Sequence, residues 1–314
     1  MRNLVKIITL LLIVIGCNQQ PSSKVEIAVK SNSDLGEGAL WNYKTGELLW
    51  IDITGEILNF YNPKTGINKP MFTGQMIGTV VPADNGQVLV ALQNGIYGFD
   101  PATGSKKLIV DPEKDLPDNR FNDGKCDPAG RFWVGTMSIA DKKEAGALYR
   151  FDADSSIHKM VSGVSISNGI AWSNDAQKMY YVDTPTHCVV QYDFNNATGD
   201  IANPSTIIEV PSELGSPDGM TIDEDGNLWI ALWGGAAVGC WNPSTGELLR
   251  KVEVPAKNVT SCAFGGHDLR TLYITTARTG TSDEELQKYP DAGSVFKISP
   301  GVKGVKAFYF RPQN

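Results

Sequence analysis

Glu37, Asn168 and Asp218 each stand just before a glycine, at one place in a segment that the chain repeats about every 40 to 50 residues. Two carboxylates and an amide oxygen are hard donors suited to Ca²⁺, Mg²⁺ or Mn²⁺, with Zn²⁺ or Fe²⁺ as further matches. Equivalent places in a repeat suggest a ring, and a ring of such donors suggests one divalent cation inside it. Taken singly, an Asp-Gly or Asn-Gly pair is more often a tight turn. These pairs recur at the start of an apolar stretch rather than between two strands, which favours chemistry for the set.

A ring needs elements that carry equivalent residues to one axis, and two interleaved series supply them. The first is a strand pattern: Leu49-Trp50-Ile51, Leu89-Val90-Ala91, Phe132-Trp133-Val134, Tyr180-Tyr181-Val182, Leu228-Trp229-Ile230 and Leu272-Tyr273-Ile274. Most copies follow a glycine turn such as Asp127-Pro128-Ala129-Gly130 or Asp223-Glu224-Asp225-Gly226, as antiparallel hairpins do. The second series is an aromatic residue with a turn behind it, as at Tyr61, Phe99, Phe151, Tyr192, Trp241 and Phe296. Six copies of several strands each, without helical periodicity of comparable strength, predict an all-β, six-bladed β-propeller with a metal site in its central channel. The inner strand of each blade should begin about 9 to 12 residues before the first series. There the chain reads Glu37-Gly38, Ile77-Gly78, Asp123-Gly124, Asn168-Gly169, Asp218-Gly219 and Ser261-Cys262.

The segments Leu35-Gly36-Glu37-Gly38-Ala39-Leu40-Trp41, Asn119-Arg120-Phe121-Asn122-Asp123-Gly124-Lys125, Ser167-Asn168-Gly169-Ile170-Ala171-Trp172, Ser216-Pro217-Asp218-Gly219-Met220 and Val259-Thr260-Ser261-Cys262-Ala263-Phe264 resemble, in order, those of the gluconolactonase and regucalcin family. The resemblance runs from about residue 33 to the C-terminus. It implies a six-bladed propeller that hydrolyses sugar lactones with one divalent metal, calcium foremost. By matching motif, Glu37, Asn168 and Asp218 take the ligand positions, and Arg120, Asn122 and Asp123 the substrate side, with Asp123 beside the metal through water. The resemblance assigns the proton-accepting role to Asp218, with Asp123 as second candidate. One departure stands out: Gly135-Thr136-Met137 continues into Ser138-Ile139-Ala140, where relatives carry adjacent glutamates. A substrate-contacting acid is therefore missing, and the particular sugar stays open.

Other chemistries find less support. His158, His187 and His267 are far apart and form no His-Glu-x-x-His pattern. Gly163-Val164-Ser165-Ile166-Ser167 lacks the last glycine of a nucleophile elbow. Asp223 to Asn227 opens like a calcium loop but has no glutamate at the twelfth position, so a hairpin turn is expected. With 28 Lys and Arg against 35 Asp and Glu the net charge is −7, and no basic stretch is interleaved with aromatics, so nucleic acid is not an expected partner.

Residues 1–16 have a positive start and a short apolar run, and Val14-Ile15-Gly16-Cys17 resembles a bacterial lipobox. The expected arrangement is a signal peptide over 1–16, a lipid on Cys17, a tether over 17–24 and the propeller over 25–314; secretory cleavage without lipidation is the alternative. Either places the protein outside the cytoplasm, as a periplasmic or cell-envelope lipoprotein in the first case, with the membrane met only through that lipid. In an oxidising compartment Cys126, Cys188, Cys240 and Cys262 allow three complete pairings, although Cys126 and Cys262 read as core residues. Val25 to Val29 is expected to close the last blade against a terminal strand around Ala307 to Phe310. Ser282 should cap a short helix. Two other functions fit the same ligands: a calcium-binding propeller with little catalysis, and a metal-dependent esterase or phosphotriesterase acting on non-sugar substrates. Oligomeric state is not readable.

Overall fold

Glycine-bearing turns of the kind read from the sequence do join the strands: Gly130 and Gly226 adopt φ of 91° and 84°, and each donates its N–H to the carbonyl three residues before it. In the computed structural model, which describes residues 24–313, these turns link six four-stranded antiparallel sheets. The six inner strands are Gly36–Asn42, Ile77–Pro82, Asn119–Cys126, Ser167–Trp172, Ser216–Ile222 and Asn258–Gly265. All run the same way along the channel, from the mouth near Glu37, Asn168 and Asp218 to the opposite mouth. The proposed leader and Cys17 lie outside the described residues.

Side chains between neighbouring blades form the core. Trp41 stacks on Tyr273 across blades one and six at 5.7 Å, and Trp133 meets Trp172 edge-on across blades three and four at 6.1 Å. Such pairs contribute about 0.5–1.5 kcal/mol beyond their area. The repeat also provides for the indole N–H groups it buries: Trp133 Nε1 donates to Asp127 and Trp229 Nε1 to Asp223, at 3.0 and 2.9 Å. Both aspartates belong to the hairpin turns, so the calcium-loop likeness at Asp223 is a turn that holds a tryptophan. Cys126, Cys188, Cys240 and Cys262 are all free thiols.

Ring closure differs in one respect from the expectation. Glu26–Val29 does complete blade six, but it pairs with Val295–Ile298, not with residues 307–310. Pro300 and Gly301 follow that strand, and the chain turns away from the sheet there. The tail then runs across the mouth opposite Glu37 and reaches blade two, where Phe310 exchanges backbone hydrogen bonds with Pro82 and Asp84, both at 2.9 Å. The Asp283–Lys288 helix forms as expected, with Ser282 and Glu285 making a reciprocal capping box.

Candidate metal and substrate site

Each inner strand loses its regular pairing near its start. Register shifts fall between Glu37 and Leu40, Ile77 and Thr79, Phe121 and Gly124, Asn168 and Ile170, Pro217 and Met220, and Val259 and Ser261. A bulge re-aims the side chain it carries, and here one occurs in all six blades at the ring positions. Glycine after the ring residue lets adjacent strands abut: a Cβ on Gly169 would lie 2.6 Å from the Asp218 carbonyl oxygen, and one on Gly78 would lie 2.4 Å from that of Phe121.

The same glycines hold the acids in place. Gly38 N–H donates to Glu37 Oε2 and Gly124 N–H to Asp123 Oδ1, each at 2.8 Å, and the Gly219 N–H serves Asp218 likewise. Glu37, Asp123, Asn168 and Asp218 are all at least nine-tenths buried. The Glu37 and Asp218 carboxyl groups lie within hydrogen-bonding reach of each other. Burial, then the Asp123 charge, pushes Glu37 up to about 8. Burial, then Glu37 and Asp123, drives Asp218 well above the usual carboxylate range. Burial also raises Asp123, against the opposing pull of the Lys125 ammonium.

Asn168 is oriented by a residue that the sequence reading missed. Its Nδ2 donates to Thr184 Oγ1 at 2.8 Å, and Thr184 in turn donates to the Pro217 carbonyl at the same distance. The amide oxygen therefore points the other way, where Asn122 Nδ2 reaches it at 3.1 Å. Asn122 also donates to the Ser167 carbonyl at 2.7 Å and accepts from Arg120 Nη1 at 2.7 Å. Arg120, buried beside Glu37 and Asp218, is lowered to about 10 by desolvation, which their charges oppose. The structure thus brings all six predicted residues into one neighbourhood. Thr184 and Lys125, whose ammonium donates to the Met220 carbonyl, complete it. A threonine directly after the second strand of blade four carries no signal of its own in the sequence.

These residues fit a hard divalent cation. Asp218 Oδ1 and Asp123 Oδ2 are buried without a hydrogen-bond partner, and carboxylates that face one another in a dry site call for positive charge. Among the described residues, acid, cysteine and histidine side chains alone make no cage of three or more. A three-donor set therefore needs a donor of another kind, and the Asn168 oxygen, oriented by Thr184, is available as one.

Comparison with known proteins agrees with the fold. Residues 35–278 match the SMP-30/Gluconolactonase/LRE-like region. The chain belongs to that family. It is 39% identical over 277 residues to a Bacillus subtilis protein named "Putative sugar lactone lactonase YvrE", covering 88% of this chain and 94% of that one. Regucalcin of Danio rerio is 38% identical over 292 residues, covering 92% of this chain and 99% of its own length. Among solved structures, a calcium-binding protein, regucalcin, from Agrobacterium tumefaciens superposes with a TM-score of 0.87 at 29% identity, covering 91% of this chain and 96% of that one.

Proposed function

We propose that this family member is a metal-dependent hydrolase that opens gluconolactone-type sugar lactones to aldonic acids. The observation that carries the reading is the buried Glu37–Asp218 pair, with an unpartnered oxygen on Asp218 and the oriented Asn168 amide on the same ring. Lactonase names among its relatives support the substrate class. Glu37, Asn168 and Asp218 would hold the ion, calcium by the all-oxygen set, with Mg²⁺, Mn²⁺, Zn²⁺ or Fe²⁺ as alternatives. When bound, it supplies Lewis acidity toward the lactone carbonyl and lowers the pKa of water.

The chain's own residues do the rest. Asp218 takes the proton of the attacking water, and the proton passes to the ring oxygen as the acyl C–O bond breaks. Asp123, with its own unpartnered oxygen, is the second candidate for that step. Arg120 and Asn122, locked to each other at 2.7 Å, orient the sugar hydroxyls. They also weigh against a calcium-binding propeller without catalysis, the reading that the Agrobacterium relative's name favours, since ion binding alone does not need them. Export as a lipoprotein acylated on Cys17 belongs to the same proposal and rests on the leader sequence.

A panel of aldonolactones and aryl esters, assayed with chelator and then with single metals restored, tests the function. Lactone turnover should depend on the metal, and Asp218→Ala should lower it by at least about 100-fold. Full turnover by Asp218→Ala in a metal-replete sample would overturn the assignment.

A further inference from the structure

The channel has a second mouth, and its chemistry is opposite to that of the acid ring. A cavity of about 1430 Å³ opens there, lined in part by Lys44, Lys64, Arg270, Lys297, Lys303 and Lys306. Glu224 and Asp268 share that lining, and Asp84 and Glu26 stand at its rim. Lys44 pairs with Asp84 at 2.7 Å, while Lys297 and Lys303 meet Glu26 and Glu224 only at 3.8 Å. Among the described residues Lys64, Arg270 and Lys306 enter no ion pair. Within the cavity lining itself cations outnumber acids, a local reversal of sign in a chain of net charge −7. It is also lopsided: most of the cations come from blades six and one and from the tail. Asp175, Glu224 and Asp225 lie in the turns of blades four and five.

Two aromatic rings stand among the cations. Tyr43 and Phe308 are 38% and 36% exposed, and the Lys306 ammonium sits 5.0 Å above the Tyr43 ring. Amphipathic rings beside lysines are what the headgroup level of a bilayer accepts.

The path of the chain says which surface could meet this face. Glu26 pairs with Lys297 and Val29 with Val295, so the closing strand starts at the basic mouth and ends at the acid-ring mouth. The described chain therefore begins, at Lys24, beside these cations. Cys17 is seven residues earlier, a reach of at most roughly 25 Å. We infer that the basic mouth docks on an anionic phospholipid surface, with the acid-ring mouth turned away from the bilayer toward its substrate. The inference rests on the reading of Cys17 as lipid-bearing. It adds to that anchor an electrostatic contact that selects which face of the propeller meets the bilayer.

The test uses the full chain as isolated from cells, whose intact mass reports separately whether Cys17 carries a lipid. The protein is placed on vesicles of phosphatidylglycerol in phosphatidylcholine, or of phosphatidylcholine alone, and amine-labelling rates are read by mass spectrometry. On the anionic vesicles Lys44, Lys303 and Lys306 should label about fivefold more slowly. Lys142 and Lys143, at the acid-ring mouth, should be unchanged, and high salt should remove the protection. Inorganic phosphate without vesicles should not reproduce it; if it does, the face is an anion site and not a membrane surface. The triple variant Lys44→Gln, Lys303→Gln, Lys306→Gln should keep lactone turnover and lose the preference for phosphatidylglycerol. A lipid-bearing chain with equal labelling on both vesicles overturns the docking and leaves the anchor standing. An unlipidated chain that does not sediment with the anionic vesicles overturns both.

Discussion

At the scale of single residues, the site is a set of carboxylates kept dry and close together, each steadied by the N–H of the glycine behind it. That closeness has a consequence for stability. The Glu37 carboxyl, ordinarily at 4.5, is raised to about 8 when no cation is present. A raised acid means that the folded state keeps a proton which the unfolded chain has already released. The contribution is fully present below pH 4.5 and is lost as the pH climbs toward 8. In chelator, the melting temperature should therefore fall between pH 5 and pH 8, by roughly 5 °C, and calcium should restore more of it at pH 8 than at pH 5. Scanning calorimetry at both values, with and without the ion, measures this. Glu37→Gln should flatten the pH dependence. A calcium shift that is the same at both pH values would contradict the pairing of Glu37 with Asp218. The acids of this site were legible in the sequence because acid-glycine and amide-glycine pairs recur at a fixed offset from a strand. Thr184 was not, because its role comes from a long-range bond to Pro217 that no local pattern marks.

At the scale of elements, a blade is unevenly written in the sequence. Inner strands are announced by the ring residues, and second and third strands by apolar runs and aromatic turns. Outer strands are the hidden ones. Ile67–Phe72 reads Ile-Asn-Lys-Pro-Met-Phe with every residue at least partly exposed, and Asp200–Glu209 carries a proline at 204. Proline is tolerated there because an edge strand has N–H groups facing solvent. The closing strand belongs to this class: in Glu26–Val29 only Val29 is buried, which explains why its partner was misplaced at residues 307–310. Its value lies in covering the Val295–Ile298 edge. Removing the chain through Val29 should cost roughly 3–5 kcal/mol, read as a melting temperature about 10 °C lower and as concentration-dependent association through the bared edge. A shortened chain that melts like the whole one and associates no more than it does would show that this strand does not close the ring.

At the scale of the whole molecule, the two mouths are held by different means, and this separates stability from turnover. The tail staples blades one to three at the basic end. The Tyr309 hydroxyl meets Asn42 of blade one, Phe310 lies 5.3 Å from the Phe151 ring of blade three, and the Arg311 N–H donates to the Gly130 carbonyl at 3.0 Å. Phe310 is also part of the buried cluster that joins Leu40, Ala83, Phe132 and Tyr149, so Phe310→Ala leaves a cavity shared by three blades and should cost about 3–5 kcal/mol. None of these contacts reaches Glu37, Asn168 or Asp218, which sit at the other end of their inner strands. Phe310→Ala should thus melt well below the parent while keeping, at temperatures where it stays folded, lactone turnover within about twofold and the same chelator sensitivity. Thermal unfolding and steady-state kinetics on one preparation decide the matter. Loss of turnover with an unshifted melting temperature would mean that the far mouth acts on the chemistry, and the channel would then have to be treated as one coupled unit.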